Sequence, residues 1–275
     1  MPRNSIKTIQ KFKLDKKKFA TLTAYDYTSA KIVDSLGIPL ILVGDSASMV
    51  IYGYDTTIPI TMDEMLFVVS PVVKGTKNAL VVADMPFMSY QSSIEKALDN
   101  AGTLIKSGGA GAVKLEGGIE IVDTIAAIVN IGIPVVGHIG LTPQSFHQMS
   151  GYSIQGKTKE AAKHIVSDAI ALEKAGAFAL VLEGIPSELA KEITKSISIP
   201  TIGIGAGPHC DGQIQVFHDI LGLFDTFVPK HAKQYAQVAE TMRSAISTYK
   251  KEVESGQFPL KEHYTSIDKS VIKKI

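Results

Sequence analysis

Four segments of the chain end alike: Ser35-Leu36-Gly37, Lys106-Ser107-Gly108, Asn130-Ile131-Gly132 and Lys174-Ala175-Gly176 each close an amphipathic stretch and lead into a short apolar run. Glycine tolerates the left-handed conformation that ends a helix, so each junction is read as a helix C-terminus feeding a strand. The repeated pattern predicts strands at Phe19–Thr23, Pro39–Val43, Ala79–Ala83, Ala112–Leu115, Pro134–His138, Phe178–Leu182, Pro200–Ile204 and Thr226–Val228. Runs such as Leu40–Val43 and Val181-Leu182 are apolar without alternation, as parallel strands covered on both faces require.

Eight such units predict an α/β fold, the (β/α)8 TIM barrel, as a single domain with its barrel core over about 19–250, an N-terminal helix and a polar C-terminal tail from about Gln257. A doubly wound sheet competes for the same pattern. It calls for a glycine-rich dinucleotide turn after the first strand, however, and Thr23-Ala24-Tyr25-Asp26-Tyr27 contains no glycine. Gly203-Ile204-Gly205-Ala206-Gly207 comes late and lacks that spacing; it marks the exit of the seventh strand, either as a tight turn or as backbone close to a ligand.

Length alone does not choose the fold, because 275 residues suit one barrel or two small domains. Charge narrows the partners. With 28 Lys plus Arg against 27 Asp plus Glu, the formal net charge of +1 provides no field for nucleic acid or an anionic membrane, and a small metabolite is the expected ligand. The lysines at 7, 11, 13 and 16–18 interleave with Ile6, Ile9, Phe12 and Leu14 near helical spacing, which predicts an amphipathic helix with a solvated face. The longest apolar runs are strand length, far short of the roughly 20 residues of a membrane helix. Cys210, the only cysteine, excludes an intramolecular disulfide and fits a reducing, cytoplasmic compartment.

In a barrel of this kind the site lies where the strands end, and those positions are polar here. The second strand runs into Asp45-Ser46, the third into Asp84, the fourth carries Lys114 and Glu116, the fifth ends at His138 and the sixth runs into Glu183. Asp45, Asp84 and Glu116 make a hard oxygen set suited to Mg2+ and poorly suited to zinc. Lys114 and Glu116, two apart on a strand, share a face; the lysine could hold a substrate carboxylate or offset the acidic ligands. Glu183 is placed to act as a general base. His138 could donate to an enolate oxygen or pack in the barrel mouth. The other histidines, at 147, 164, 209, 218, 231 and 263, have no paired metal-ligand spacing and are expected at the surface or at caps. These features point to metal-assisted proton abstraction from a 2-oxo acid, which becomes a carbon nucleophile.

Several longer motifs sharpen that reading: TLTAYDY at 21–27, VGDS at 43–46, GYDTTIPIT at 53–61, ADMPFM at 83–88, KLEGG at 114–118, GHIGLTPQS at 137–145, IGIGAG at 202–207 and Asp211-Gly212-Gln213. In these, nearly end to end, the chain resembles the ketopantoate hydroxymethyltransferase family of pantothenate biosynthesis. The resemblance implies Mg2+ held by Asp45, Asp84 and, through water, Glu116. It implies substrate contacts from Asp45, Ser46, Asp84 and Lys114, and Glu183 as proton acceptor. It implies 5,10-methylenetetrahydrofolate as the one-carbon donor to 3-methyl-2-oxobutanoate, with 2-dehydropantoate as product. A homo-oligomer is expected, typically a large ring such as a decamer. The chain departs from the family's pattern at Ala47-Ser48, where Leu-Gly is usual, and at Ser150-Gly151-Tyr152-Ser153, where Gly-Gly-Tyr-Lys is common.

Two other readings stay open at this stage. A phosphoenolpyruvate mutase or isocitrate lyase relative would also bind Mg2+ and a 2-oxo acid on a barrel, although the reactive loop cysteine of a lyase is not seen. A barrel that has lost catalysis and serves only for binding or assembly would show broken site positions, whereas the matched polar positions are intact.

Overall fold

The computed structural model describes residues 3–149, 151–224 and 228–272. Its elements run α1 (Ile6–Leu14), β1 (Phe19–Thr23), α2 (Tyr27–Ser35), β2 (Leu40–Val43), α3 (Ala47–Val50), α4 (Met62–Gly75), β3 (Leu80–Asp84), α5 (Ile94–Lys106) and β4 (Ala112–Glu116). They continue with α6 (Val122–Asn130), β5 (Val135–Gly140), α7 (Lys159–Lys174), β6 (Ala179–Glu183), α8 (Ser187–Ser196), β7 (Thr201–Ile204), β8 (Gly212–Gln215), α9 (Phe217–Leu221), α10 (Val238–Glu254) and α11 (Lys269–Ile272). The eight strands pair in parallel, each with the next, and β8 closes on β1, giving the expected (β/α)8 barrel.

Seven strands fall where the apolar runs predict them, with a consistent shift. Pro39, Pro134 and Pro200 stand just before β2, β5 and β7, because proline has no N–H to give a ladder. At the other end, Asp84, Glu116 and Glu183 are the last residues of their strands rather than the first of the loops. The eighth strand differs. Of the expected Thr226–Val228, Thr226 and Phe227 lie outside the described residues and Val228 forms no strand. The barrel is closed instead by Gly212–Gln215, whose partners run from Phe19↔Gly212 to Leu22↔Gln215 on one side and include Ile202↔Gly212 on the other. Gly212 fits there because the Phe19 ring would lie 2.7 Å from any Cβ at that position. No β7-to-β8 helix intervenes, and a loop containing Cys210, fully buried, replaces it.

Alternate residues of each strand divide between two apolar layers. Ile41, Val43, Val81, Val113, Leu115, Leu180 and Leu182 face the surrounding helices, while Leu40, Leu42, Leu80, Val82, Val136, Val181 and Ile202 fill the lumen. The amphipathic α1 joins the lumen set: Ile9 is fully buried there, with Ile6 and Phe12 packed beside it, and Lys7 and Lys11 remain outside. The Asn4 amide donates to the Asn78 carbonyl at 2.6 Å, and the Lys13 ammonium meets Asp211 at 3.0 Å, so α1 is bolted across the ends of several strands.

Beyond α9 the chain behaves differently. No residue of α10 is buried, and Met242, Ile246 and Tyr249 are 50%, 62% and 57% exposed on what the spacing makes one helical side. No helix of the described residues is long and apolar enough to cross a membrane.

Candidate active site

Strand register fixes the site before any loop contributes. Asp84 pairs with Lys114, Glu116 with His138, and Gly140 with Glu183, so successive strands carry their polar side chains into one mouth. The contacts run without a break. Lys114 Nζ lies 3.1 Å from Asp84 Oδ1, 3.1 Å from His138 Nδ1 and 3.5 Å from Glu116 Oε1; His138 Nε2 then lies 3.2 Å from Glu183 Oε2. Lys114 and Glu116 share the lumen face, as their alternation predicts. The side chains of Asp84, Lys114, Glu116 and His138 are at most 4% exposed, whereas Glu183 is 15% exposed, which leaves it the most open to a bound molecule.

The loops complete the set. The Asp45 amide donates to Asp84 Oδ2 at 3.0 Å, bringing the two carboxylates together. Ser46 shares a hydrogen bond of 2.7 Å with the buried Tyr25 hydroxyl. After β5 the chain turns at Gly140, with φ +95°, where a Cβ would lie 2.3 Å from the Glu183 carbonyl oxygen. That turn carries Gln144 over the site: its side-chain amide donates to Asp45 Oδ2 at 2.8 Å and to the Met85 carbonyl at 3.0 Å, and its backbone N–H donates to Glu116 Oε2 at 3.0 Å. The Tyr90 hydroxyl lies 2.8 Å from Gln144 Oε1 and accepts from the Glu116 amide. Gln144, Tyr90 and Tyr25 were not singled out from sequence, although Gln144 lies in the GHIGLTPQS motif and Tyr25 in TLTAYDY. A neutral amide or phenol carries no chemical signature until its partners are known.

Burial and mutual repulsion set the charge states. Burial, then Glu116 and Asp84, push the Asp45 carboxyl well above the ordinary range; burial also raises Asp84, against the pull of Lys114. Glu116 is held down to about 2, because Lys114 and His138 together overcome its burial. Burial and Lys114 disfavour the His138 imidazolium, yet Glu116 and Glu183 on either side of the ring raise it to about 9. Lys114 stays an ammonium, since the three carboxylates outweigh its desolvation.

Among the described residues no three acidic, histidine or cysteine side chains form a closed metal cage. Glu116 is turned to Lys114, His138 and Gln144 instead. The donor chemistry still fits a hard divalent cation held from one side, because Mg2+ commonly takes one or two carboxylates and keeps waters or substrate oxygens for the rest. Asp45 and Asp84 supply that pair, and Asp84 Oδ1, near Lys114 but out of hydrogen-bonding alignment, is buried without a hydrogen bond. A cation would offset the burial, and the lesser repulsion, that raise both carboxyls.

These groups open into a cavity of about 710 Å3 whose walls include Ser46, Met49, Tyr152, Ile154, Asp219 and His231. His231 is exposed, as expected, and also stands on the cavity wall. Gly205, φ +61°, lines the cavity while Gly207, φ +78°, packs against Ser187, so the Gly203–Gly207 segment is a tight turn with one glycine facing the cavity. Of the departures noted above, Ser48 is fully buried and donates to the Thr56 carbonyl at 2.6 Å, bracing the loop after α3. Ser150 lies outside the described residues, and Ser153 lines the cavity.

Comparison with known proteins places the whole chain. The family described as ketopantoate hydroxymethyltransferase matches residues 3–261. The 3-methyl-2-oxobutanoate hydroxymethyltransferase of Clostridium beijerinckii is 55% identical over 273 residues, 99% of each chain. That of Dehalococcoides mccartyi is 56% identical over 274 residues, 99% of this chain and 98% of the relative. Among solved structures, a phosphoenolpyruvate phosphomutase from Streptomyces platensis subsp. rosaceus is similar in fold, with a TM-score of 0.62 over 98% of this chain and 94% of that one, at 13% identity.

Proposed function

The chain belongs to the ketopantoate hydroxymethyltransferase family and is a transferase, and on that premise we propose that it moves a one-carbon unit from 5,10-methylenetetrahydrofolate to 3-methyl-2-oxobutanoate, giving 2-dehydropantoate for pantothenate synthesis. Asp45 and Asp84 would hold Mg2+, with Glu116 as the third carboxylate of the set. Bound there, the ion would supply Lewis acidity, which lowers the cost of removing the C3 proton next to the keto group. Lys114 and Ser46 take the substrate carboxylate, a charge the buried ammonium complements. Glu183 Oε2 accepts the C3 proton, and His138, lying against that carboxylate, orients it and donates toward substrate oxygen. The carbon nucleophile forms a C–C bond to the donor's methylene carbon, both C–N bonds of that carbon break to release tetrahydrofolate, and water supplies the oxygen of the new hydroxymethyl group.

One observation carries the reading: the unbroken line of contacts from Asp84 through Lys114 and His138 to Glu183, which joins a pair of carboxylates suited to a cation to the most exposed carboxylate of that line. The enzyme acts as one catalytic domain in the cytoplasm and as a homo-oligomer; the uncovered apolar side of α10 supports assembly.

The test is product formation from the oxo acid and the folate donor with and without Mg2+, alongside exchange of the C3 hydrogen in D2O with the donor left out. Metal-dependent exchange and metal-dependent transfer are both expected. Absence of product under every divalent metal would overturn the assignment.

A further inference from the structure

The reaction as derived uses one side of the cavity and leaves a carboxylate on its wall without a role. Asp219, on α9 just past β8, is 5% exposed and lines the cavity that holds Glu183. Among the described residues its side chain makes no hydrogen bond and no ion pair, unlike Asp45, Asp84 and Glu116. Burial pushes its carboxyl up to about 6, so near neutral pH it is mostly an anion taken out of water with nothing to offset the cost. A buried acceptor of this kind is suited to donors that arrive with a ligand.

The cavity is also too large for the oxo acid alone, since about 710 Å3 is the scale of a drug-sized ligand. Met49, Val50, Val216 and Phe224 give it apolar walls suited to a flat ring, and the exposed Lys230 stands on its wall. The one-carbon donor has a matching distribution of chemistry. Its 2-amino-4-oxopyrimidine ring presents two parallel N–H donors, from N3 and the 2-amino group, and its glutamate end carries carboxylates. A carboxylate accepts two parallel donors as it accepts the fork of an arginine. The neighbouring Gln215 has a buried side-chain oxygen with no hydrogen bond on the same wall, a second acceptor available to a ring rich in donors.

We infer that Asp219 is the recognition carboxylate for the pterin of the folate donor, accepting from N3–H and the 2-amino group while Lys230 meets the glutamate end. This rests on the folate assignment above. It divides the cavity into an oxo-acid half at Asp45, Lys114 and Glu183 and a donor half at Asp219, with the methylene unit between them.

The experiment compares the wild-type enzyme with Asp219→Asn and Asp219→Glu, using tetrahydrofolate and its 2-desamino-2-methyl derivative as probes. Asp219→Asn should raise the donor KM about 10- to 100-fold, the range lost with a hydrogen bond to a charged partner. The KM for the oxo acid and the donor-free C3 exchange should be retained, and Asp219→Glu should recover part of the donor affinity. The desamino derivative should bind the wild type about 10-fold or more weakly than tetrahydrofolate, a penalty that Asp219→Asn no longer shows. An unchanged donor KM, or the same desamino penalty in both proteins, overturns the inference; so does loss of C3 exchange in a folded variant, which would put Asp219 in the oxo-acid half. Should Asp219→Asn fail to fold, the desamino penalty in wild type and Asp219→Glu still decides: no penalty in either overturns it. Wild-type enzyme that exchanges C3 yet accepts no folate donor overturns the donor assignment itself, and is recognised before any variant is made.

Discussion

At the N-terminal end of the barrel Ile9, Phe19, Leu40 and Leu80 meet in an apolar layer, whereas at the C-terminal end the same sheet presents Asp84, Lys114, Glu116 and His138, equally buried. At the first end burial removes apolar surface from water, and each side chain contributes to holding the fold. At the second, some groups recover only part of the hydration they lose: Asp45 and Asp84 are left with raised pKa values and Asp84 Oδ1 without a hydrogen bond. One end therefore stores stability, and the other holds buried charge that the proposed cation and anionic substrate would complete. α1 covers the lower end, where Ile9 extends the apolar layer that already fills the lumen below the charged groups.

Three measurements test whether the two ends are separable. The largest effect is expected from Glu183→Gln, which should lower C3 exchange and transfer by about 10²- to 10⁴-fold, the usual contribution of a general base. Its thermal unfolding should stay close to wild type, because Glu183 is the least buried member of the line. Retained exchange would remove Glu183 from the role of base. Next, Ile9→Ala at the opposite end should cost about 2–4 kcal/mol of stability, measured by urea unfolding, through lost burial and the cavity it leaves. Turnover per folded molecule should be unchanged, and a matching loss of kcat would mean that the two ends are not separable.

The smallest effect is in pH. His138 binds its proton more tightly folded, at about 9, than the ordinary value of 6.5, so its contribution to stability is complete below 6.5 and fades as pH rises through 9. Between those values the metal-free wild type should lose more of its melting temperature than His138→Gln does. Equal losses in the two proteins would show that the ring is neutral in the folded state, with Lys114 donating to Nδ1.

Much of the site was legible because its chemistry is local. An acid or lysine at the end of a strand, spaced by two from its neighbour, announces both its element and its face, and so Asp84, Lys114, Glu116 and Glu183 could be placed before any contact was known. Asp219 and Gln144 were not legible in this way. Asp219 on a short helix is an ordinary surface acid until the fold buries it, and Gln144 matters only through Asp45 and Glu116, which are distant in the chain.

The same division holds for the fold. Periodicity, glycine stops and unbroken apolar runs determined seven strands, their order and the closed parallel barrel, because those signals are written within each unit by helix and strand geometry. The eighth strand was decided by tertiary structure. Gly212-Gln213-Ile214-Gln215 has little apolar character of its own and becomes a strand because β1 and β7 offer ladders on both sides, with Phe19 filling the space beside Gly212. Charge states were likewise settled only by assembly: sequence supplied the carboxylates, but which of them would be held down by Lys114 and His138, and which left raised, depended on distances of about 3 Å that exist only once the barrel has closed.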